Sequence, residues 1–309
     1  MGWTIGNFYL TESQMRGNAI EVYNYFTEKG WTLNAIAGIL GNMEKESNIN
    51  LGLWQSLKEG NYSGGFGLVQ WTPATNYTNW AAANGYSITD PKGQLYWIDM
   101  ETVEAGQWIE TSDYNITFWG FKTSNAAPDW LASAFLKNFE RAGVEVEAER
   151  RAAATKWYNF LKKSIEGSQV IEKAVQWAIN IANDDSHGYD QTHRDGPDYD
   201  CSSLICWAYS NTGLNTRPGY TPATGSMHDV FVDAGFKDVT SQINLPTGAG
   251  LVRGDVLIKP GSHTEMYIGN SQLVGASQNE HGGVTGGQTG DQTGKEIHVH
   301  GYYNYPWKY

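Results

Sequence analysis

The chain has 309 residues, 40% hydrophobic and 17% charged, with 36 glycines; that length and composition bury at least one core, leave room for two and argue against disorder. Its 21 basic and 33 acidic residues leave a net charge of −12, which argues against partners bound by neutralising phosphates, so no nucleic acid is expected. No stretch approaches 18 apolar residues, the opening MGWTIGNFYLTESQM lacks the basic and apolar regions of a signal peptide, and two cysteines exclude a disulfide framework; neither membrane insertion nor a signal peptide is expected.

Helical periodicity opens the chain. Ala19, Val22, Tyr23 and Phe26 fall on one helical face, and Leu33, Ile36, Ile39, Leu40 and Met43 follow Thr32 as an N-cap. Further helical patterns cover 92–107, 129–141 and 146–163, so the first half is expected to be all helical. The pattern stops in the polar stretch 162–168 and resumes near Val170. This predicts domains at 1–163 and 170–309 joined by a linker at 164–169. The second half begins with a helix over 170–183, crosses an acidic loop and starts another helix near Cys201. Short Val-, Ile- and Tyr-containing runs at 254–258, 263–268, 272–277 and 296–302 then predict a small antiparallel sheet, giving an α+β class.

The 13 Trp and 18 Tyr exceed what a core of this size needs. Such rings suit the apolar faces of sugars, although a Trp-rich core accounts for many of them. Glu46 ends an apolar-faced helix in GNMEKESNIN and is followed by GGFGLVQW at 64–71. A carboxyl at a helix end beside aromatic walls has the makings of a general acid for a glycosidic oxygen. Trp54, Tyr62 and Trp71 are expected to line its cleft, and Gln70 to hydrogen-bond a sugar substituent. By residue chemistry alone, most such glutamates are simply solvated. Glu44, two helical positions away, is expected to face solvent.

The Glu46-Ser47 pair with Gly67-Leu68-Val69-Gln70 resembles the pattern of goose-type lysozymes and lytic transglycosylases. The tract 33–43, Trp54-Gln55, Gly67 to Trp71 and the segment 135–141 resemble phage tail-associated lysozymes more closely, over roughly residues 8 to 160. The resemblance implies a lysozyme-like helical domain with Glu46 as the acid. With one carboxylate matched, inverting hydrolysis, substrate assistance and transglycosylation all stay open.

In GPDYDCSSLICWAY, Asp200 as N-cap puts Cys201 in the first turn of a helix, where free amides and the macrodipole favour a thiolate. Cys206, about 140° further round, reads as a buried structural thiol. A buried structural role is equally open to Cys201. A nucleophile needs a base, and His263, opening the strand HTEMYIGN, is the best placed of seven histidines.

These segments resemble NlpC-type and CHAP-type amidases and endopeptidases, which carry Asp-Cys-Ser-Gly-Leu at a helix start, a Gly-Asp-Val strand and a strand beginning with His. The matches are Asp200 to Leu204 (with Ser203 where Gly is usual), Gly254 to Leu257 and His263 to Asn270. The resemblance implies a papain-like α+β domain, Cys201 as nucleophile, His263 as base and Tyr189 lining the site. The family's imidazole-orienting position falls on Gly275, so Asn279, on the same strand face as Gly275 and Ser277, is taken as the orienting residue.

His298 and His300 alternate like metal ligands, but a solvated strand face is the plainer reading, and the acidic loop from Asp184 to Asp200 has no EF-hand pattern. No metal and no cofactor are expected. Together the two resemblances imply a bifunctional hydrolase of Gram-positive peptidoglycan, cutting the glycan and a stem-peptide amide, carried on a phage tail with other tail proteins as further partners. The alternatives are an endolysin released through a holin pore, a conjugation-associated wall hydrolase, and an inactive wall-binding tail protein.

Overall fold

The computed structural model describes residues 2–141 and 146–309, with 101–104 as backbone alone. The chain divides into two compact units at Ile165/Glu166.

The first unit is helical: α1 (Glu12–Glu28), α2 (Leu33–Ser47), α3 (Thr75–Ala83), α4 (Pro91–Glu104), α5 (Phe118–Lys122), α6 (Pro128–Phe135), a π-turn at Leu136–Glu140, and the start of α7 (Glu147–Ala182). Thr11 and Gln14 form a capping box at α1, and the Thr32 hydroxyl accepts from the Ala35 amide at α2. Helix α2 is central, with every residue from Ala35 to Met43 buried. Two glycines let its neighbours approach. A Cβ on Gly38 would lie 2.9 Å from Leu131 Cβ in α6, and one on Gly41 would lie 2.5 Å from the Arg150 carbonyl oxygen in α7. The surrounding core includes Phe26, Ile36, Tyr77, Phe135 and Trp157.

Helix α7 covers 164–169, the polar stretch read above as a linker where the helical pattern stops. The polar residues there are largely exposed on the helix. A stretch without an apolar stripe reads as loop, yet it is equally compatible with a solvated helix.

The second unit contains the remainder of α7, α8 (Cys201–Ser210), α9 (Thr224–Asp233) and a four-stranded antiparallel meander: β1 (Val256–Lys259), β2 (His263–Gly269), β3 (Gln272–Ala276) and β4 (Ile297–Gly301), in that order. The β2–β3 hairpin turns through Asn270 and Ser271, both at positive φ, as a tight two-residue turn requires. One sheet face (Ile258, Met266, Ile268, Val274, Ala276) packs with Leu204, Ile205 and Ala208 of α8. By alternation and register, His263, Glu265, Tyr267, Leu273, Gly275, His298 and His300 share the other face, where Leu257, Leu273 and Trp307 make a small core. This is the expected α+β arrangement.

Candidate active sites

In the first unit, the C-terminal end of α2 opens on a cleft of about 760 Å³ lined by Tyr9, Glu46, Trp54, Gln70, Trp71, Glu140 and Arg150, among others. Ser47, beside Glu46, is buried and donates to the carbonyls of Met43 (3.1 Å) and Leu68 (2.9 Å). It thereby ties the helix end to the Gly67–Trp71 turn. Gly67 adopts a positive φ of 80°, and an added Cβ would lie 2.7 Å from Gln94 Oε1. That oxygen accepts from the Leu68 amide at 2.9 Å. The segment between Glu46-Ser47 and Gly67-Leu68-Val69-Gln70 thus returns to the end of α2, where Gln70 and Glu46 line the same cleft.

Glu46 does not stand among aromatic rings alone. Arg150 Nη2 donates to Glu46 Oε1 at 2.5 Å, and Nη1 donates to Asn42 Oδ1 at 3.1 Å. Asn42 is itself buried and spans from α2 to the Ala132 carbonyl of α6 at 3.0 Å. The Arg150 side chain is 4% exposed and Glu46 18%, so a cation on α7 is held in place and charge-paired to the candidate acid.

In the second unit, Asp200 caps α8. Its Oδ1 accepts from the Ser203 amide at 2.7 Å, and Ser203 Oγ accepts from the Asp200 amide at 2.9 Å, completing a capping box. Arg194 pairs with Asp200 at 2.8 Å. Cys201 is buried, and burial, with Asp200 beside it, pushes its thiol up to about 12, although the Thr264 and Ser202 amides pull the other way. The Thr264 amide that acts on the thiol belongs to β2, one residue after His263. Tyr189 is close enough to Cys201 and Asp200 for their charges, after burial, to raise its phenol.

His263 Nε2 lies 2.9 Å from Glu265 Oε1. The same oxygen is 3.2 Å from His300 Nε2 and 3.3 Å from the Tyr303 hydroxyl. Glu265 is 1% exposed; burial would raise its carboxyl, but hydrogen bonds from His263 and His300 hold it below the ordinary range. The Glu265 bond in turn raises His300 against the opposing effect of burial.

Residues 17–161 match the phage tail lysozyme family. Residues 196–274 and 273–309 match the endolysin-like domain family. The chain is 44% identical over 177 residues to "Morphogenesis protein 1" of Bacillus phage B103, an alignment that covers 57% of this chain and 47% of that protein. The chain therefore spans about half the length of this curated relative.

Several expectations change against this geometry. Trp54 and Trp71 line the cleft, but each is only 5% exposed, Trp54 tilted against Phe66 and Trp71 stacked on Tyr77. Tyr62 packs edge-on against Trp54 with its ring centroid 5.3 Å away. Gln70 spends its amide nitrogen on the carbonyls of Leu53 and Gly67, so it braces the turn and leaves its oxygen for other contacts. Glu44 does not face solvent: it accepts from Trp157 Nε1 at 2.7 Å and pairs with Lys156 at 2.6 Å.

In the second unit, the helix start does not make Cys201 a resting thiolate, because burial outweighs the amides. Cys206 is fully buried, as a structural thiol should be. Asn279 does not reach His263; its amide bonds Thr285, His281 and Gly283 and shapes its own loop. The residue on His263 is Glu265, on His263's own strand, whereas the resemblance points to the next strand. The available signal was a glutamate two residues along β2, on the same face as His263. His300 is not a solvated strand residue, being bonded to Glu265, and no group of three metal-binding side chains occurs among the described residues.

Proposed function

We propose that the chain is a bifunctional peptidoglycan hydrolase of a phage particle, with a glycan-cleaving cleft in the first unit and an amide-cleaving site in the second. The observation that carries this reading is Glu46 in the large polar cleft of a stretch similar to phage tail lysozymes. Glu46 delivers a proton to the glycosidic oxygen, and the sugar competes with Arg150 for the same carboxyl. Glu140, a second carboxylate lining the cleft, is our candidate for the water-activating or cation-stabilising role that glycoside hydrolysis requires.

In the second unit, His263 takes the Cys201 proton as sulfur attacks a stem-peptide carbonyl carbon. The C–N bond then breaks, the imidazolium returns the proton to the leaving amine, and water releases the acyl group from sulfur. Since the buried thiol is protonated at rest, attack and proton transfer are coupled. The α8 helix packed on a sheet whose second strand begins with His263 supports a papain-like arrangement.

The match to "Morphogenesis protein 1" of a Bacillus phage supports a virion protein acting at the wall of a Gram-positive host during entry. The endolysin-like match of the second unit favours a second reading, release at lysis. Proteomics on gradient-purified virions separates them: stoichiometric chain in the particle supports the first, and its presence in the lysate alone supports the second. Zymography of the wild-type chain tests for a hydrolase at all, since an inactive wall-binding protein leaves no clearing.

A further inference from the structure

On the face of the sheet that carries His263, the β3 residue beside Glu265 is Gly275, which has no side chain to offer. The register pairs Leu257 with Glu265 on one side of β2 and Met266 with Val274 on the other, so Glu265 lies beside Gly275 on the face that carries His263. A Cβ built on Gly275 would lie 2.7 Å from Glu265 Cγ and 3.1 Å from Oε1. The glycine therefore does more than omit a side chain: it makes the space in which the Glu265 carboxylate lies.

We propose that Glu265 is the positioning residue of the amide-cleaving site, accepting from His263 Nε2–H and so holding the ring with Nδ1 as its basic atom. The inference rests on the reading of Cys201 and His263 given above. Two further donors, His300 and Tyr303, converge on the same carboxylate oxygen and fix the acceptor itself in place. Among the described residues, Nδ1 of His263 makes no hydrogen bond, which leaves it open to a thiol proton. A base held in one tautomer by a buried carboxylate follows the general logic of nucleophile, base and orienting group. Here the orienting group comes from the base's own strand, two residues on, and the glycine opposite is its counterpart.

The test uses the full chain with ¹⁵N-labelled histidine. At a pH where His263 is neutral, ring nitrogen correlations in the wild type should show Nε2 protonated and Nδ1 bare; an Nδ1–H tautomer overturns the proposal without any variant. Release of amine termini from purified Gram-positive peptidoglycan supplies the second arm. Glu265→Gln should lower kcat by about a hundredfold or more, in the range seen when an orienting carboxylate is neutralised, with KM within about twofold. The signals of the other six histidines, apart from His300 and its neighbour His298, report whether the variant is folded. A folded, active Glu265→Gln with unchanged kcat overturns the positioning role alone. A wild type that releases no amine termini overturns the amide-cleaving reading, and this role with it.

Discussion

Glu46 and Arg150 lie 104 residues apart in sequence and are partly or fully withdrawn from water, so removing one strands the other. Arg150→Met should destabilise the first unit by about 1–3 kcal/mol, below the usual cost of a fully buried pair because Glu46 retains some exposure. Adding Glu46→Gln should recover part of that loss in thermal unfolding; strictly additive losses would show that the pair is not coupled. Cys201 makes a different prediction. With its thiol at about 12, only about one molecule in ten thousand is ionised at pH 8. Alkylation by iodoacetamide, followed by mass spectrometry, should be slower by orders of magnitude than at an exposed cysteine. Fast labelling would mean a charged, open thiol. His300 is held above its ordinary value by Glu265, so its contribution to stability is fully present below about pH 6.5 and is lost as pH rises through the raised value. His300→Gln should therefore lower Tm most at pH 6, with the gap closing at alkaline pH.

Close approach governs the elements. Helix α2 carries Gly38 and Gly41 where α6 and α7 press against it, and a methyl group on Gly41 meets backbone. Gly41→Ala should cost about 1–3 kcal/mol by overpacking, measurable as a lowered Tm; an unchanged Tm would show that the helices shift freely. These packing helices and the four strands were readable from the recurrence of apolar residues, although α2 is buried all round from Ala35 to Met43 and both faces of the sheet carry a core. The same reading failed at 164–169, where a polar run is helical, and it missed α3, α5 and α9, which are short and carry few buried residues. At α8 the motif was legible but its chemistry was not. Ser203, in place of the usual glycine, completes the cap, while the burial that raises the thiol depends on the sheet packed against it.

Across the whole molecule, the candidate residues are marked by local motifs, and the side chains that contact them are not. Glu46, Cys201 and His263 carry local signatures, whereas Arg150 on Glu46 and the convergence of His300 and Tyr303 on Glu265 depend on elements distant in sequence. The two candidate sites lie in separate units, so the two proposed activities should be separable by single substitutions. The most direct test is mass spectrometry of fragments released from purified Gram-positive peptidoglycan by the wild type, Glu46→Gln and Cys201→Ala. The account predicts that glycan cleavage disappears only with Glu46→Gln and that new amine termini disappear only with Cys201→Ala. Loss of both products in either variant, or no release by the wild type, would contradict it.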